Sequence, residues 1–375
     1  MKKRIGVIFG GRSGEHEISI RSAKTVIEQI DKNKYSVIPI AIDKNGYWLE
    51  PRASAALLPD ETSPLVADEI ADVTAESIAV IGDPQYRGLR DLTQTSDPVY
   101  PLDIIFPVLH GTYGEDGAIQ GIFEMADVPY VGCGVLASSC GMDKVVMKSL
   151  FREAGLPLCR HTHFLRDTWE KDPVAVVATI EKEIGYPCFV KPANLGSSVG
   201  ISRAANAEEL RSAINSAAEF DRKVLVEEAL KMREIECAVL GNNEPEASLP
   251  GEYIIKDKAK DFLDYTEKYS GTGNNEFVVP APVSDELSKK IREMAIKAFK
   301  AIDGSGLARV DFFLRTDNGY LLVNEINTMP GLTDASGYPK MWAGSGKSFS
   351  KVIDELIQLA IERHADKQRN KTSFQ

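Results

Sequence analysis

The chain has 375 residues, of which 43% are apolar and 26% are charged, so a disordered, collagenous or fibrous protein is excluded. At about 150 residues per domain, this length predicts two or three domains. The net charge of −11 disfavours nucleic acid as a partner, because an acidic surface repels a phosphate backbone.

The five cysteines are odd in number and widely spaced, and none forms a Cys-x-x-Cys pair. They therefore predict neither a disulfide framework nor a structural zinc site. The basic N-terminus lacks the long apolar core and cleavage site of a signal peptide, and no run approaches 18 apolar residues. We therefore expect a cytoplasmic protein that does not associate with membranes.

Strands and helices alternate in the first part of the chain. Three short apolar runs are typical of buried strands: residues 4–9, 36–42 and 103–109. A helical apolar pattern covers about 18–30, and this alternation predicts a parallel sheet with helices on both faces. Ligands of such sheets bind where the strands end, which is where the loops 10–17 and 110–117 lie.

The remaining elements predict a mixed α+β structure. Residues 60–97 are acidic, and we interpret them as a surface insertion with a small hairpin. The further predicted helices cover about 142–154, 207–218, 285–302 and 349–363, and the predicted strands are 188–192, 223–230, 234–241, 307–314 and 320–327. Residues 256–276 have no apolar periodicity, so this long loop is either disordered or functional.

Two late strands carry the strongest chemical signal. Arg309 and Asp311 lie two residues apart, as do Glu325 and Asn327, so each pair points to one face of its strand. If the strands are antiparallel neighbours, two carboxylates and an amide oxygen converge in a set that suits Mg²⁺. The alternative is a salt bridge between Arg309 and these acids, but four polar side chains in apolar strands are costly to bury without a ligand.

A lysine and a glycine-rich loop form the second signal. Lys191 ends a predicted strand and precedes residues 196–200 (GSSVG), whose backbone could wrap phosphate oxygens. The spacing does not fit a P-loop, and a plain Gly/Ser hairpin is the alternative. Glu227 and Glu234 could accept hydrogen bonds from an adenine amino group and ribose hydroxyls, or each could be a solvated surface acid.

The two N-terminal loops form a third signal. Residues 10–17 open a helix whose N-terminus could bind an anion such as a carboxylate, with Ser13 as a simple helix cap being the alternative. This loop does not fit Gly-x-Gly-x-x-Gly, so a dinucleotide fold is disfavoured. Residues 110–117 contribute a histidine, two acids and three glycines at an equivalent strand end.

The motifs occur in the order and approximate spacing of the D-alanine–D-alanine ligases, a family of the ATP-grasp superfamily. The matching segments are GGRSGEHEIS, HGTYGEDGAIQG, MDK, FVKPANLGSSVG, DYTEKY, GLARVDFF and NEINTMPG. The sequence resembles this family over nearly its whole length. The resemblance implies an N-terminal parallel-sheet α/β domain (1–143) and a two-domain ATP-grasp fold, with a small central α+β domain (144–234) and a C-terminal domain (235–375) that carries a lid at 256–276.

The resemblance also implies a reaction, in which ATP drives the ligation of two D-alanines through a D-alanyl phosphate. The products are D-alanyl-D-alanine for peptidoglycan precursor synthesis, ADP and phosphate, and the implied cofactors are two Mg²⁺ or Mn²⁺ ions per site. A homodimer is the implied assembly. The alternatives are a D-Ala–D-Ser ligase, another ATP-grasp carboxylate–amine ligase, or a non-catalytic nucleotide-binding module, although a degenerate module would be expected to have lost metal ligands.

Individual roles follow from the same resemblance. The implied metal ligands are Asp311, Glu325 and Asn327. The implied ATP-binding residues are Lys144, Lys191, Ser197, Ser198, Glu227, Glu228, Leu230, Glu234, Lys268 and Asn327. The implied substrate-binding residues are Glu15, His110, Glu115, Lys268, Arg309 and Ser336. The implied catalytic groups are Glu15, Ser197 and Tyr269, a triad tying the N-terminal helix to the glycine-rich loop and the lid, together with Arg309 and Gly331 at the tetrahedral centre.

Three positions bear on the second substrate. Tyr269 in the lid favours an amine acceptor, because the resemblance implies a different residue in ligases that use D-lactate. Asp334 stands where the family often has serine, and Gly337 stands where a larger apolar residue often follows Ser336. Both departures flank the second-substrate site, so D-serine remains open as the acceptor.

Overall fold

The structure is a computed structural model, and it describes residues 2–66, 78–92, 100–196, 199–255 and 275–371. Within these ranges, the strands group into an N-terminal sheet, a central sheet and a C-terminal sheet, with a small additional sheet beside the first. None of the helices in the described ranges has the length and apolar character needed to cross a membrane.

The N-terminal sheet has the strand order β3-β2-β1-β7. Its region contains β1 (Lys3–Gly10), α1 (His16–Gln29), β2 (Tyr35–Ile42), β3 (Trp48–Leu49), α2 (Pro51–Ala55), β4 (Ile78–Val80), β5 (Gly88–Asp91), β6 (Tyr100–Pro101), β7 (Ile104–Val108), α3 (Ala118–Met125) and α4 (Val135–Met142). The predicted parallel pairing of β1 with β2 and β7 is confirmed, and the short β3 pairs antiparallel at the edge. The last six residues of β1 are all buried, as expected for a strand covered on both faces.

The predicted insertion at 60–97 forms more than a hairpin. A 3₁₀ turn covers Ser63–Val66, and β4, β5 and β6 form an antiparallel sheet in the order β4-β5-β6. The third strand lies just beyond the predicted insertion, which is why a local pattern did not include it. Residues 67–77 and 93–99 lie outside the described residues.

The central sheet has the order β10-β9-β11-β8, and its strand pairs are antiparallel. Its region contains α5 (Lys144–Glu153), β8 (His161–Leu165), α6 (Arg166–Lys171), α7 (Pro173–Glu183), β9 (Cys188–Pro192), β10 (Ser202–Ala204), α8 (Ala207–Phe220) and β11 (Lys223–Glu228). The helix predicted from Met142 begins at Lys144 instead. Asp143 separates the end of α4 from the start of α5. Its carboxylate caps α5 by accepting hydrogen bonds from the N–H groups of Val145 and Val146.

The C-terminal sheet has the order β15-β14-β12-β16-β17, with a short β13 beside β12. Its region contains β12 (Met232–Gly241), β13 (Glu246–Ala247), β14 (Gly251–Ile255), β15 (Asn275–Val278), α9 (Asp285–Ala301), β16 (Gly306–Arg315), β17 (Leu321–Asn327), α10 (Gly337–Gly344) and α11 (Phe349–Lys367). The sequence patterns did not include α10. The proposed domain limits at 143 and 234 stay predictions.

The last helix joins the C-terminal region to the N-terminal one. Val352, Leu356 and Ile357 of α11 belong to the same buried apolar cluster as Ile5 and the rest of the N-terminal core. The guanidinium of Arg363 lies 4.2 Å from the centre of the Tyr130 ring. It also donates hydrogen bonds to the carbonyl oxygens of Gly132 and Tyr130 and, at 2.8 Å, to the Ser305 hydroxyl.

Replacement of Arg363 by methionine should therefore lower the free energy of unfolding by about 2–3 kcal/mol, because hydrogen bonds from a charged donor contribute about 1.5–3 kcal/mol. Denaturant unfolding followed by circular dichroism measures this change. Arg369→Met is the matched control, since Arg369 is exposed and pairs with Asp366 one helical turn away. Equal stability of the two variants would contradict the joining role of Arg363.

Candidate functional site

A cleft between the central and C-terminal sheets brings together most of the residues that the sequence singled out. The predicted residues that line it are Glu115, Lys144, Lys191, Glu227, Glu228, Leu230, Glu234, Asp311, Glu325 and Asn327. Most of them come from β9 and β11 on one side and from β12, β16 and β17 on the other, while Lys144 begins α5 and Glu115 and Leu230 lie in loops. A charged ligand that entered this cleft would therefore contact side chains from both sheets.

The two strands that carry the metal-type residues are antiparallel neighbours, as the sequence analysis required. In their register, Arg309 faces Asn327 and Asp311 faces Glu325, and a bulge follows Asp311. Along β16, residues 309, 311 and 313 are half-buried while their alternate neighbours are buried. The strand period therefore presents one polar face to the cleft and one apolar face to the core.

Arg309 forms the internal salt bridge that the sequence analysis considered less favourable. Its Nε and Nη2 atoms donate to the two Asp311 oxygens at 2.7 and 2.6 Å, and its Nε lies 3.4 Å from Glu236 Oε2. The Asn327 amide also donates to Asp311 at 3.2 Å. The salt bridge and a ligand site share these residues, so a cation at Asp311 would compete with Arg309.

The donor set suits a divalent cation whose coordination shell is completed by a bound ligand. Asp311, Glu325 and Asn327 supply two carboxylates and one amide oxygen along the cleft wall. Within the described ranges, no three His, Cys, Asp or Glu side chains cluster as a ready metal site. Mg²⁺ is usually held by one or two carboxylates plus substrate phosphates, so a site of only two acids fits this metal.

Lys144 links the cleft wall to the glycine-rich loop. Its Nζ donates to the Leu195 carbonyl at 2.9 Å and lies 3.6 Å from Glu325 Oε2. Its backbone N–H donates to the Ala193 carbonyl at 2.9 Å. Since Lys144 is the first residue of α5, the Asp143 cap sets where its side chain leaves the helix.

Glu227 is not a solvated surface acid, which corrects one of the readings that the sequence left open. Its side chain is buried, with Oε1 2.7 Å from Lys148 Nζ and Oε2 2.6 Å from Lys191 Nζ. Burial would raise the pKa of Glu227, but the charges of the two lysines outweigh this and hold its pKa well below the usual range. The carboxylate is therefore ionised and holds Lys191 in place.

The Glu15 carboxylate lies where the first helix meets two glycine-containing loops. A side-chain carbon added at Gly111 or Gly196 would lie 3.3 or 3.1 Å from Glu15 Oε1, so both loops pass close to this acid. Ser197 and Ser198, which follow Gly196, lie outside the described residues. Of the segment 256–276, predicted to be a lid, the structure describes only residues 275 and 276, so Lys268 and Tyr269 also lie outside the described residues.

His110 connects the N-terminal loop to the segment after β17. Its Nδ1 is 3.0 Å from the Met329 carbonyl, and its Nε2 is 2.9 Å from the Ser22 hydroxyl. Its Nδ1 also lies 3.7 Å from Glu115 Oε1. Burial would lower the pKa of His110, but Glu115, Glu15 and the Met329 carbonyl together outweigh burial and raise it. Two predicted substrate-binding residues thus form one interacting pair.

Residues after β17 occupy the remaining predicted positions. The Leu332 N–H donates to Ser22 Oγ at 3.3 Å, which fixes the loop containing Gly331. Ser336 is buried at the start of α10, and its hydroxyl lies 2.7 Å from Thr333 Oγ1. Asp334 is exposed.

Several apolar cleft residues were missed by the sequence analysis. They are Phe189, Ile201, Met232 and Phe313. The strand period could have identified two of them, since Phe189 shares a face of β9 with Lys191, and Phe313 continues the Arg309–Asp311 face. Together with Leu230, they provide apolar walls suited to a flat ring. Glu228 lines the same cleft, and its carboxylate accepts hydrogen bonds from the backbone and side chain of Arg160.

Comparisons with known proteins agree over the full chain. Family models described as the N-terminus and the C-terminus of D-Ala–D-Ala ligase match residues 4–133 and 150–358. A D-alanine–D-alanine ligase of Heliobacterium modesticaldum is 45% identical over 99% of this chain and 98% of its own length. One from a Thermoanaerobacter species is 47% identical over 98% of this chain and 99% of its own length.

Solved structures show the same likeness. The D-alanine–D-alanine ligase of Coxiella burnetii superposes with a TM-score of 0.80 at 36% identity, covering 98% of this chain and 96% of that one. The VanG D-Ala:D-Ser ligase of Enterococcus faecalis superposes with a TM-score of 0.81 at 37% identity, covering 96% of this chain and 100% of that one.

Gly337 should not tolerate even a methyl group. A side-chain carbon there would lie 2.5 Å from Glu236 Oε2 and 2.9 Å from Phe277 Cζ. Gly337→Ala should therefore destabilise the fold by about 1–3 kcal/mol, the usual cost of overpacking. Thermal unfolding measures the loss, with Gly121→Ala as the control because nothing lies within 4 Å of the carbon added there. A Gly337→Ala variant as stable as the control would show that this contact relaxes freely.

Proposed function

The chain belongs to the D-alanine–D-alanine ligase family, and from this membership we propose that it joins two D-alanines to D-alanyl-D-alanine while converting ATP to ADP and phosphate. The observation that carries the proposal is the convergence of Lys144, Lys191, Asp311, Glu325 and Asn327 along one cleft. Charged groups of both signs in a single partly apolar cleft suit a metal-bound nucleoside triphosphate.

The cleft residues would divide the work of holding ATP. Leu230, Phe189 and Phe313 would offer apolar surface to the adenine, and Glu234, which lines the same cleft, would accept hydrogen bonds from the ribose hydroxyls. Lys144 and Lys191 offer ammonium groups to the phosphates. Asp311, Glu325 and Asn327 would hold Mg²⁺ or Mn²⁺, two ions in the full proposal, and these ions would neutralise phosphate charge.

The first D-alanine would lie between the N-terminal helix and the cleft. Glu15 would bind its ammonium group, with His110 and Glu115 close by. Its carboxylate oxygen attacks the γ-phosphorus of ATP, the bond to ADP breaks, and a D-alanyl phosphate forms. Glu115 lines the cleft, His110 lies 3.7 Å from Glu115, and Glu15 lies close to Gly196 of the cleft wall, which supports the assignment.

The second D-alanine would be bound by Ser336 and Arg309. Its neutral amine attacks the carbonyl carbon of the acyl phosphate, and inorganic phosphate leaves. Arg309 and the Gly331 N–H would stabilise the negative charge that develops on the carbonyl oxygen. The lid, with Lys268 at the γ-phosphate and Tyr269 paired to Ser197 and Glu15, would exclude water that could hydrolyse the acyl phosphate.

A second candidate function differs only in the acceptor. The departures at Asp334 and Gly337 leave D-serine open as the acceptor, and the likeness to the VanG D-Ala:D-Ser ligase supports this alternative. The relatives with 45–47% identity are named D-alanine–D-alanine ligases, which favours D-alanine. A cytoplasmic location, a role in peptidoglycan precursor synthesis and a homodimeric assembly complete the proposal.

Phosphate release in the presence of ATP and Mg²⁺ should require D-alanine and should not occur with L-alanine. Mass spectrometry of a reaction containing equal D-alanine and D-serine should show D-alanyl-D-alanine as the main product. A main product of D-alanyl-D-serine would favour the second candidate. Binding of ATP with no turnover for any amino acid would instead indicate a nucleotide-binding module and refute the ligase proposal.

Replacement of Glu325 by glutamine should remove a metal ligand while preserving the side chain's shape. We expect turnover to fall by at least about 100-fold, since even residues that only support a metal ligand cost about 10- to 100-fold when mutated. Steady-state phosphate release measures this, and the melting temperature checks the fold. Glu293→Gln, an exposed change on α9, is the control. Normal turnover in Glu325→Gln would refute the metal assignment.

A further inference from the structure

A buried lysine behind Glu227 has no role in the assignments above. Lys148 lies on α5 and is only 1% exposed, and it is absent from the described residues that line the cleft. Its Nζ contacts Glu227 Oε1 at 2.7 Å and the Asn324 carbonyl oxygen at 3.2 Å. We propose that Lys148 is a positioning residue for ATP, which neutralises Glu227 so that the charge of Lys191 remains available to phosphate. This inference rests on the proposed function.

The first argument is a count of charges. Glu227 carries one negative charge between the positive charges of Lys148 and Lys191, so the three groups together carry one positive charge. Cys159 also donates to Glu227 Oε1, but burial raises the pKa of its thiol to about 12, so it adds no charge. Without Lys148, Glu227 and Lys191 would form a neutral pair.

The second argument is which of the two lysines reaches the ligand. Lys191 lines the cleft, whereas Lys148 lies on the far side of the Glu227 carboxylate. Burial would lower the pKa of Lys191, but Glu227 outweighs burial and keeps the ammonium protonated. Glu227 therefore keeps Lys191 protonated. Lys148 supplies the positive charge that balances Glu227, so that the charge of Lys191 is not used up in doing so.

The third argument is that Lys148 contacts both walls of the cleft. Glu227 belongs to β11 of the central sheet, and Asn324 belongs to β17 of the C-terminal sheet, next to Glu325. Lys148 also follows Lys144 by four residues on α5, so the two lysines lie on one face of the helix. One helix thus presents one lysine to the cleft and a second lysine to the carboxylate behind it.

The test compares how ATP and adenosine bind. Lys148→Met removes the charge with little change in length, Lys148→Arg keeps the charge, and Lys148→Met with Glu227→Gln restores the net charge of the cluster. Isothermal titration without amino acids gives the dissociation constants of ATP and adenosine for each variant. A structural defect would weaken the binding of both ligands. The loss of positive charge that faces the phosphates would weaken the binding of ATP alone.

We expect Lys148→Met to weaken ATP relative to adenosine by about tenfold or more, the usual scale for breaking a buried charge pair. Lys148→Arg and the double variant should recover most of the wild-type ratio between the dissociation constants of ATP and adenosine. Lys289→Met, an exposed change, should leave it unaltered. An unchanged ratio in Lys148→Met, or a double variant as weak as Lys148→Met, would overturn the proposal.

Two further readouts separate this inference from the proposed function. Binding needs no turnover, so the ratio tests Lys148 even if the wild-type protein ligates no amino acid. If the wild-type protein does turn over D-alanine, Lys148→Met should raise the KM for ATP more than it lowers kcat. Should Lys148→Met fail to fold, the double variant is compared with Glu227→Gln alone. Lys148 then has no carboxylate to neutralise, so the two should bind ATP relative to adenosine about equally well, and a much weaker relative binding of ATP by the double variant would overturn the proposal.

Discussion

The pairing of buried charge is the constraint on which the cleft depends. Glu227 lies between two lysines, and Arg309 lies against Asp311, so the groups that would meet a nucleotide are paired with one another in this structure. Burying an ion without a partner costs several kcal/mol, so these pairs allow charged side chains to line a cleft between apolar cores. A bound ligand must therefore replace existing ion pairs rather than neutralise isolated charges. Arg309 would lose its ion pair when a cation binds Asp311.

The cleft also depends on a second set of contacts, which fix the loop after β17. His110 and Ser22 come from the N-terminal region, and they hold the Met329 carbonyl and the Leu332 N–H. Gly331 lies between these two anchors, and Ser336 follows at the start of α10. The backbone positions proposed for the tetrahedral centre are therefore set by the N-terminal region as much as by their own sheet.

Much of the site followed from local sequence patterns, because period-2 geometry places Arg309, Asp311 and Phe313 on one face whatever the fold around them. The parallel N-terminal sheet and the antiparallel pairing of β16 with β17 were confirmed. The pairing of Lys148 with Glu227 could not be predicted in this way, because it joins α5 to a strand beyond several intervening elements. The start of α5 was predicted two residues too early, since an acid such as Asp143 fits both a helix interior and a cap.

Gly337 illustrates a different limit of sequence reasoning. In the sequence, Gly337 is a departure from the family pattern, and this departure left the identity of the acceptor amino acid open. In the fold, Glu236 of β12 and Phe277 of β15 fill the space that a side chain at this position would need. Glu236 also lies beside Arg309, so the carboxylate that excludes a side chain from α10 helps to hold the guanidinium proposed for the second substrate. Gly337 is therefore needed to leave room for Glu236. The polar groups on this side of the cleft come from β12 and β16 rather than from α10.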